Sequence, residues 1–194
     1  VNQEKLFGKV TTLVLAGLGF IWLILTLWAD DFIQIKIMGY SFFGEEFQNS
    51  IPIVPWIALG YLFYGFYVLQ TPGIFLKDRP GIAAWTRLLG ATSNIIFCFI
   101  FIPLYGAIGA AMATCLAFFL MLVMMYWWNT KLYPIRLEWR KISFITIILI
   151  SGFFVSRASA DNLFINILIT GLYPVGLIGL GIIKIDSFKS RVAD

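Results

Sequence analysis

The sequence contains no histidine, so the side chain that most often acts as a general base is absent. It also has no HExxH zinc motif, no GxSxG nucleophile elbow and no Walker phosphate loop. Cysteine is scarce, and both copies, Cys98 and Cys115, lie inside apolar runs without a CxxC spacing. We interpret them as small packing residues. These absences argue against an enzyme and predict neither a metal site nor a cofactor.

Charge is equally scarce, because charged residues make up 12% of a chain that is 60% hydrophobic. This balance places the chain in the membrane class. The net charge of +4 is dispersed among short loops, so we expect no nucleic-acid partner. A charged stretch, a short apolar stretch and a cleavage site do not occur in the order of a signal peptide. The chain opens with Val1 rather than Met, and we expect it to be part of a longer transporter.

Six apolar segments are present, and about 20 apolar residues allow an α-helix to cross a hydrocarbon core roughly 30 Å thick. A soluble domain of 194 residues has too little interior to bury six of them. The sequence therefore predicts an all-α, polytopic transmembrane bundle that forms one domain over residues 1–194. The fifth segment is short and needs a thinned bilayer or flanking residues as an extension. The predicted spans are Val10–Ala29, Ile51–Leu76, Ile82–Ile102, Gly106–Trp128, Ile142–Ser156 and Leu163–Ile183.

Lysine and arginine are distributed unequally between alternate connections. Lys36 and Arg157 lie on one side, and the other twelve basic residues lie on the opposite side. The positive-inside rule then predicts a multi-pass protein of the cytoplasmic membrane with both termini in the cytoplasm. The twelve are Lys5, Lys9, Lys77, Arg79, Arg87, Lys131, Arg136, Arg140, Lys141, Lys184, Lys189 and Arg191.

The longest connection, Asp30–Ser50, carries four acids and one lysine and lies outside by the same rule. Ile33, Ile35 and Ile37 alternate with polar residues, which fits a strand, but an interfacial helix is equally compatible over so few residues. We favour a short, surface-lying helical turn.

A proline lies near the cytoplasmic end of the second span, in the sequence Gln70-Thr71-Pro72-Gly73. Proline frees a carbonyl, which neighbouring helices or hydroxyl side chains must satisfy in lipid. Pro72 and Gly73 are therefore hinge candidates in a helix that faces a cavity. The alternative is a simple helix end before the loop at Lys77–Pro80.

The stretch IPLYGAIGAAMA at Ile102–Ala113 is the most distinctive in the chain. We expect Pro103, a further hinge candidate, to end one helix and Gly106 to make a tight outer turn. Two i, i+4 faces of small residues follow, and small faces let helices approach closely in membranes. Close packing and an interface that slides during a transport cycle remain alternatives. The faces are Gly106/Ala110/Thr114 and Gly109/Ala113.

Few polar groups lie deep in the predicted spans, and none is acidic, so no intramembrane proton or sodium site is expected. Asn94 is the costliest and must face a partner helix or a watery cavity. Arg87 begins the third span, where it can extend to the headgroups or reach a phosphate at a cavity mouth. We name Arg87, Asn94, Gln70 and Thr71 as candidates for a substrate or cavity surface.

Three stretches, taken in order, resemble the carboxy-terminal part of a polysaccharide flippase. The family is that of O-antigen and exopolysaccharide translocases, within the multidrug/oligosaccharidyl-lipid/polysaccharide exporter superfamily. The resemblance covers about residues 1–140, whereas the last two spans match only in length and apolarity. The stretches are IVPWIALGYLFYGFYVLQTPGIFL at Ile53–Leu76, IFIPLYGAIGAAMAT at Ile100–Thr114 and YWWNTKLYPI at Tyr126–Ile135.

The resemblance implies an alternating-access carrier of two lobes, of which this chain is the carboxy-terminal lobe. Such a carrier moves lipid-linked oligosaccharide between leaflets for polysaccharide biosynthesis. Its partners are membrane lipid, the lipid-linked substrate and the missing amino-terminal lobe. That lobe holds most of the cationic cavity residues in related flippases, so no site residue is transferred from the family to this chain.

Two alternatives remain. The first is a multidrug or small-cation exporter of the same superfamily, which an acidic residue within a span would favour. The second is a non-transporting membrane scaffold or a subunit of an enzyme complex.

Overall fold

The fold consists of apolar helices, as a computed structural model of the chain shows. It describes residues 3–34, 36–37, 40–41, 50–133, 135, 137–159, 162–179 and 181. The main helices are α1 (Gln3–Leu27), α3 (Val54–Phe75), α4 (Pro80–Leu132), α5 (Trp139–Ala158) and α6 (Leu163–Gly179). Between α1 and α3 lie the short helix α2 (Ala29–Ile33) and two strands of two residues each, β1 (Lys36–Ile37) and β2 (Tyr40–Ser41).

The predicted fold class is confirmed, because the described residues form an all-α bundle apart from the small β1–β2 pair. Four of the described helices are long and apolar enough to cross a membrane, and α6 is a shorter apolar helix. The chain is therefore a membrane protein with several apolar helices.

Helix α4 comprises two of the predicted spans. Its 53 residues would extend about 80 Å if straight, which is far more than the hydrocarbon core. The backbone leaves the helical conformation at Gly106, with φ of 58° and ψ of −132°. Glycine adopts this positive φ without steric penalty. We call residues 80–105 the first arm of α4 and residues 107–132 the second arm; the two fold back on each other as a hairpin.

The reversal lies at Gly106, where the sequence predicts a tight turn, but the prediction that Pro103 ends the preceding helix is wrong. The first arm continues through Pro103, because a proline in the last turn removes only one hydrogen bond. The predicted fifth span is also longer than expected. Helix α5 has 20 residues, about 30 Å, and needs no thinned bilayer.

The connection between α1 and α3 combines a helical turn with a strand pair. Helix α2 takes the two aspartates Asp30 and Asp31 into its first turn, and β1 then pairs antiparallel with β2, with Ile37 opposite Tyr40. Residues 35, 38–39 and 42–49 of this connection lie outside the described residues. Of the predicted sixth span, Leu163–Ile183, residues 180, 182 and 183 lie outside them.

The helices form two packing units. In the α3–α4 unit, α3 packs against both arms of α4 around the buried side chains Tyr67, Ile74, Ala83, Met121, Leu122 and Met125. In the α1–α5–α6 unit, the core consists of Ala16, Trp22, Leu23, Leu27, Ile145, Leu149, Tyr173 and Leu177. The seam between the units runs along α1 and α3, where Trp22 Nε1 donates to the Pro55 carbonyl oxygen at 3.1 Å.

Contacts between helix ends show that successive long segments run in alternating directions. The rings of Phe7, at the start of α1, and Tyr133, just after α4, lie 6.3 Å apart. At the other end of α1, Asn166 near the start of α6 donates to the carbonyl oxygen of Leu27. The start of α1 and the end of α4 therefore lie at the same end of the bundle, which is the end that the charge distribution predicts to face the cytoplasm.

Candidate functional site

A polar face lies on the first arm of α4, where Arg87 and Asn94 are two helical turns apart. Seven residues advance a helix by about 10 Å and bring the side chain back to within about 20° of the same direction. Arg87 is exposed and Asn94 is half-buried. Asn94 lines a groove of about 370 Å³ together with Ile95, Cys98, Phe99, Ile102 and Pro103.

The Asn94 amide also joins the two arms of α4. Its Nδ2 donates to Thr114 Oγ1 at 3.1 Å, and Thr114 Oγ1 in turn donates to the Ala110 carbonyl oxygen at 3.1 Å. Cys98 Sγ lies 3.7 Å from Asn94 Oδ1 and donates to it. Asn94 therefore acts as an interhelical contact and also borders a groove whose lining is mainly apolar; these two roles were alternatives on sequence grounds.

The second predicted cluster, at the end of α3, is divided between interior and surface. Gln70 is 1% exposed and is buried between helices, whereas Thr71 is only half-buried. Thr71 Oγ1 donates to the Val68 carbonyl oxygen at 2.7 Å. Val68 is four residues before Pro72, so this is the carbonyl that the proline frees. Helix α3 thus continues through Pro72 and ends at Phe75.

Asn129, on the second arm of α4, is the buried neighbour of Gln70 that sequence reasoning missed. It is 2% exposed, and its Nδ2 donates to the Gln70 carbonyl oxygen at 2.7 Å. The predicted fourth span ends at Trp128, so the sequence places Asn129 just beyond it. The sequence did contain a signal for this contact. Asn129 directly follows an apolar run, and burying its amide costs free energy unless the amide is hydrogen-bonded, so a partner on a neighbouring helix could have been predicted.

The small residues near the reversal have different surroundings. Gly109 and Ala113 are buried, and Ala110 is half-buried. A Cβ on Gly109 would overlap the Phe101 carbonyl, so glycine is what lets the second arm lie against the first. Gly106 forms the turn instead of packing, because a Cβ there would meet no heavy atom within 4 Å.

A closed polar network joins α1, α5 and α6 at the end of the bundle opposite Gln70 and Asn129. Asn166 Nδ2 donates to the Leu27 carbonyl oxygen at 3.3 Å, and Ser156 Oγ donates to Asn166 Oδ1 at 2.6 Å. Trp28 Nε1 donates to Thr170 Oγ1 at 3.1 Å. This network satisfies the last carbonyl of α1, which has no partner within its own helix. Its members are fully engaged with one another, which fits a structural role.

A larger groove of about 440 Å³ lies between α1 and α3, and its walls are almost entirely apolar side chains, including Trp22, Ile57 and Tyr61. No set of three histidine, cysteine or acidic residues that could hold a metal ion is found in the part of the chain that the structure describes. Both grooves are lined mainly by apolar side chains, so Arg87 and Asn94 on the first arm remain the polar groups that we consider for contact with a polar ligand.

Comparison with known proteins provides one relative. An uncharacterised membrane protein of Methanocaldococcus jannaschii is 26% identical to this chain over 164 residues. The match covers 78% of this chain but 31% of the relative, so the chain spans about a third of the relative's length. No protein family and no solved structure matches the chain.

Proposed function

We propose that this chain forms the carboxy-terminal lobe of a transporter that flips lipid-linked oligosaccharide across the cytoplasmic membrane for polysaccharide biosynthesis. Its partners are membrane lipid, the lipid-linked substrate and an amino-terminal lobe supplied by the rest of a longer protein. The protein is a carrier and not an enzyme.

The observation that carries the proposal is the polar face of the first arm. Arg87 is exposed and Asn94 half-buried on an apolar helix, two turns apart on one side. Polar groups that face lipid are costly, so such groups mark a cavity or a protein interface in membrane helices. A guanidinium matches the oxygens of a phosphate, and a lipid-linked sugar carries phosphate between lipid and sugar.

The length of the known relative is consistent with a lobe of a larger carrier. The aligned region covers 31% of that membrane protein, which leaves room for a second lobe of similar or larger size. In this arrangement, the first arm lies at the boundary between lobes, where its exposed side chains gain neighbours.

The experiment compares Arg87→Ala and Asn94→Leu in the full-length protein with the wild type. We expect several-fold less surface polysaccharide at unchanged protein level, because both substitutions remove polar contacts from the transport surface. Reconstituted vesicles that contain a fluorescent lipid-linked oligosaccharide should show the same loss in flipping rate.

Two matched variants control for charge and for polarity. Lys77→Ala removes an exposed cation at the end of α3, and Thr92→Val removes an exposed hydroxyl about 200° around the first arm from Asn94. Both should retain normal polysaccharide. If Arg87→Ala and Asn94→Leu are also normal at normal protein level, the face is not a transport surface.

The proposed orientation places both termini in the cytoplasm. Topology reporters fused after Asp31 and after Leu132 should then report opposite sides of the membrane, with the Leu132 fusion in the cytoplasm. Reporters on the same side would exclude the alternating arrangement and, with it, the assignment of Arg87 to the cytoplasmic mouth.

A further inference from the structure

Several helix ends meet at the end of the bundle that contains the start of α1. Tyr133, just after α4, contacts Phe7 on α1, and a Cβ on Gly73 near the end of α3 would lie 3.2 Å from Tyr133 Cδ1. The rings of Tyr126 on the second arm and Trp139 at the start of α5 are 5.5 Å apart. Side chains near these helix ends therefore border one surface of the membrane.

Three exposed tryptophans lie at a common level at this end. Trp85 is five residues after the start of α4 and Trp127 is five residues before its end, so each lies about 7.5 Å along the helix from that end. Their exposed fractions are 66% and 48%, and Trp139 is 51% exposed. Tryptophan combines an apolar ring with a polar N–H and prefers the headgroup level of a bilayer. We therefore expect the headgroups of the bordering leaflet at the level of these rings.

Lys131 carries its charge to the same level. It lies four residues, about 6 Å, beyond Trp127 along the helix, but its Nζ is 3.5 Å from the centre of the Trp127 ring. This cation–π contact holds the ammonium group on the exposed side of the second arm, about 200° around the helix from Asn129, which faces α3. Among the described residues, no acidic side chain forms a salt bridge with Lys131, whereas Lys141 pairs with Glu138 at 3.1 Å.

We propose that the Trp127–Lys131 pair binds the phosphate of an anionic phospholipid in the leaflet that borders this end of the bundle. The phosphate supplies the negative charge that Lys131 does not receive from the described residues, at the depth where lipid phosphates lie. Anionic headgroups attract lysine and arginine near a membrane surface. Three further cations are exposed at this end and outnumber the exposed acid Asp78; they are Lys77, Arg79 and Arg140.

In the proposed orientation, this leaflet is the cytoplasmic one. The lipid contact is independent of the proposed transport activity, since none of the residues of the polar face takes part in it.

The test is photo-crosslinking of the full-length protein in vesicles that contain phosphatidylglycerol with a photoreactive group near its phosphate. We expect the peptide that contains Trp127 and Lys131 to be labelled, and a phosphatidylcholine analogue to label it several-fold less. Lys131→Gln should lower the phosphatidylglycerol labelling about fivefold, which is the contribution of one cation near an anionic surface. A protease that does not cut at lysine keeps the peptides comparable. Unchanged labelling in Lys131→Gln, or equal labelling by the two lipids, would overturn the proposal.

Lys141→Gln is the matched control, because it removes a cation at the same end whose charge is paired with Glu138. It should leave the labelling unchanged, and Lys131→Arg should retain it, since a guanidinium keeps the charge and also stacks on tryptophan. Equal losses for Lys131→Gln and Lys141→Gln would show an effect of net charge alone and contradict a site at Lys131.

A competition experiment distinguishes a lipid from a free anion. Unlabelled phosphatidylglycerol should suppress the labelling, whereas inorganic phosphate in place of chloride at equal ionic strength should not. Suppression by inorganic phosphate would mean that the site binds a free anion, and the assignment to a phospholipid would be wrong.

Discussion

The two packing units differ in what some of their glycines contact, although Gly73 and Gly90 of the α3–α4 unit also meet side chains. In the α3–α4 unit, two glycines meet the backbone of a neighbouring segment: Gly109 lies against the Phe101 carbonyl, and a Cβ on Gly60 would lie 3.2 Å from Cys115 Cα. In the α1–α5–α6 unit, the glycines Gly19 and Gly152 meet side chains. Backbone atoms cannot adapt as side chains do, so the first unit depends more strongly on glycine.

The buried amides differ as well. Asn166 has partners for both Oδ1 and Nδ2, on α5 and α1 respectively. Asn129 has a partner for Nδ2, while its Oδ1 remains unpaired within the described residues. Thr26 Oγ1 on α1 is also unpaired there, so the contrast concerns the amides and not every polar group. Among the described residues, the amide at one end of the bundle is thus paired through both its oxygen and its nitrogen, whereas the amide near Pro72 is paired through its nitrogen alone.

Gly109→Ala should have the largest effect on stability. The added methyl group overlaps the Phe101 carbonyl, so the hairpin of α4 must open, at a cost of about 3 kcal/mol. Reversible unfolding in mixed micelles measures the loss. Gly17→Ala is the matched control, because a Cβ on Gly17 meets no heavy atom within 4 Å and alanine favours the helix. Equal stability of the two variants would contradict the role of the close approach.

Asn166→Leu should come next, with a loss of about 2 kcal/mol. It leaves the Leu27 carbonyl and the Ser156 hydroxyl without this amide, and hydrogen bonds between membrane helices contribute about 0.6 to 1.7 kcal/mol each. The same unfolding assay applies. Ser151→Ala, which removes an exposed hydroxyl on α5, should change little. A loss no greater than that of Ser151→Ala would show that the network does not hold the three helices together.

Thr71→Val should have the smallest effect, about 0.5 to 1 kcal/mol, because the Val68 carbonyl freed by Pro72 loses its only hydroxyl donor in the described structure. Thr146→Val is the control. Its hydroxyl donates to the Ile142 carbonyl oxygen, which the Thr146 backbone N–H already satisfies within α5. Identical stabilities would mean that water or lipid headgroups replace the hydroxyl at Val68.

Much of the fold is predictable because the relevant signals are local. The apolar side chains of Val10–Ala29 are sufficient to predict a membrane-spanning helix. Glycine adopts a positive φ easily, so Gly106 is sufficient to predict a reversal of the chain. The short fifth span was underestimated, because residues near its ends, such as Arg140 and Arg157, extend the helix although they lower the apolarity of the segment.

The candidate site was only partly predictable. Asn94 stands out as an amide inside an apolar run, and it does contact a neighbouring helix segment. Gln70 was expected to line a cavity, but its neighbour is the buried Asn129, 59 residues away in the sequence. Nothing local to either residue specifies this pairing.

The sequence by itself determined that the helices lie in lipid, how many apolar segments there are and how charge is distributed between their ends. Each of these properties follows from the side chains taken in order along the chain. Only the tertiary structure decided which polar atoms meet, as in the contact of Asn166 with Leu27 across 139 residues. The physical reason is that such pairings depend on how each helix is rotated about its axis. That rotation results from close packing among all neighbouring helices at once.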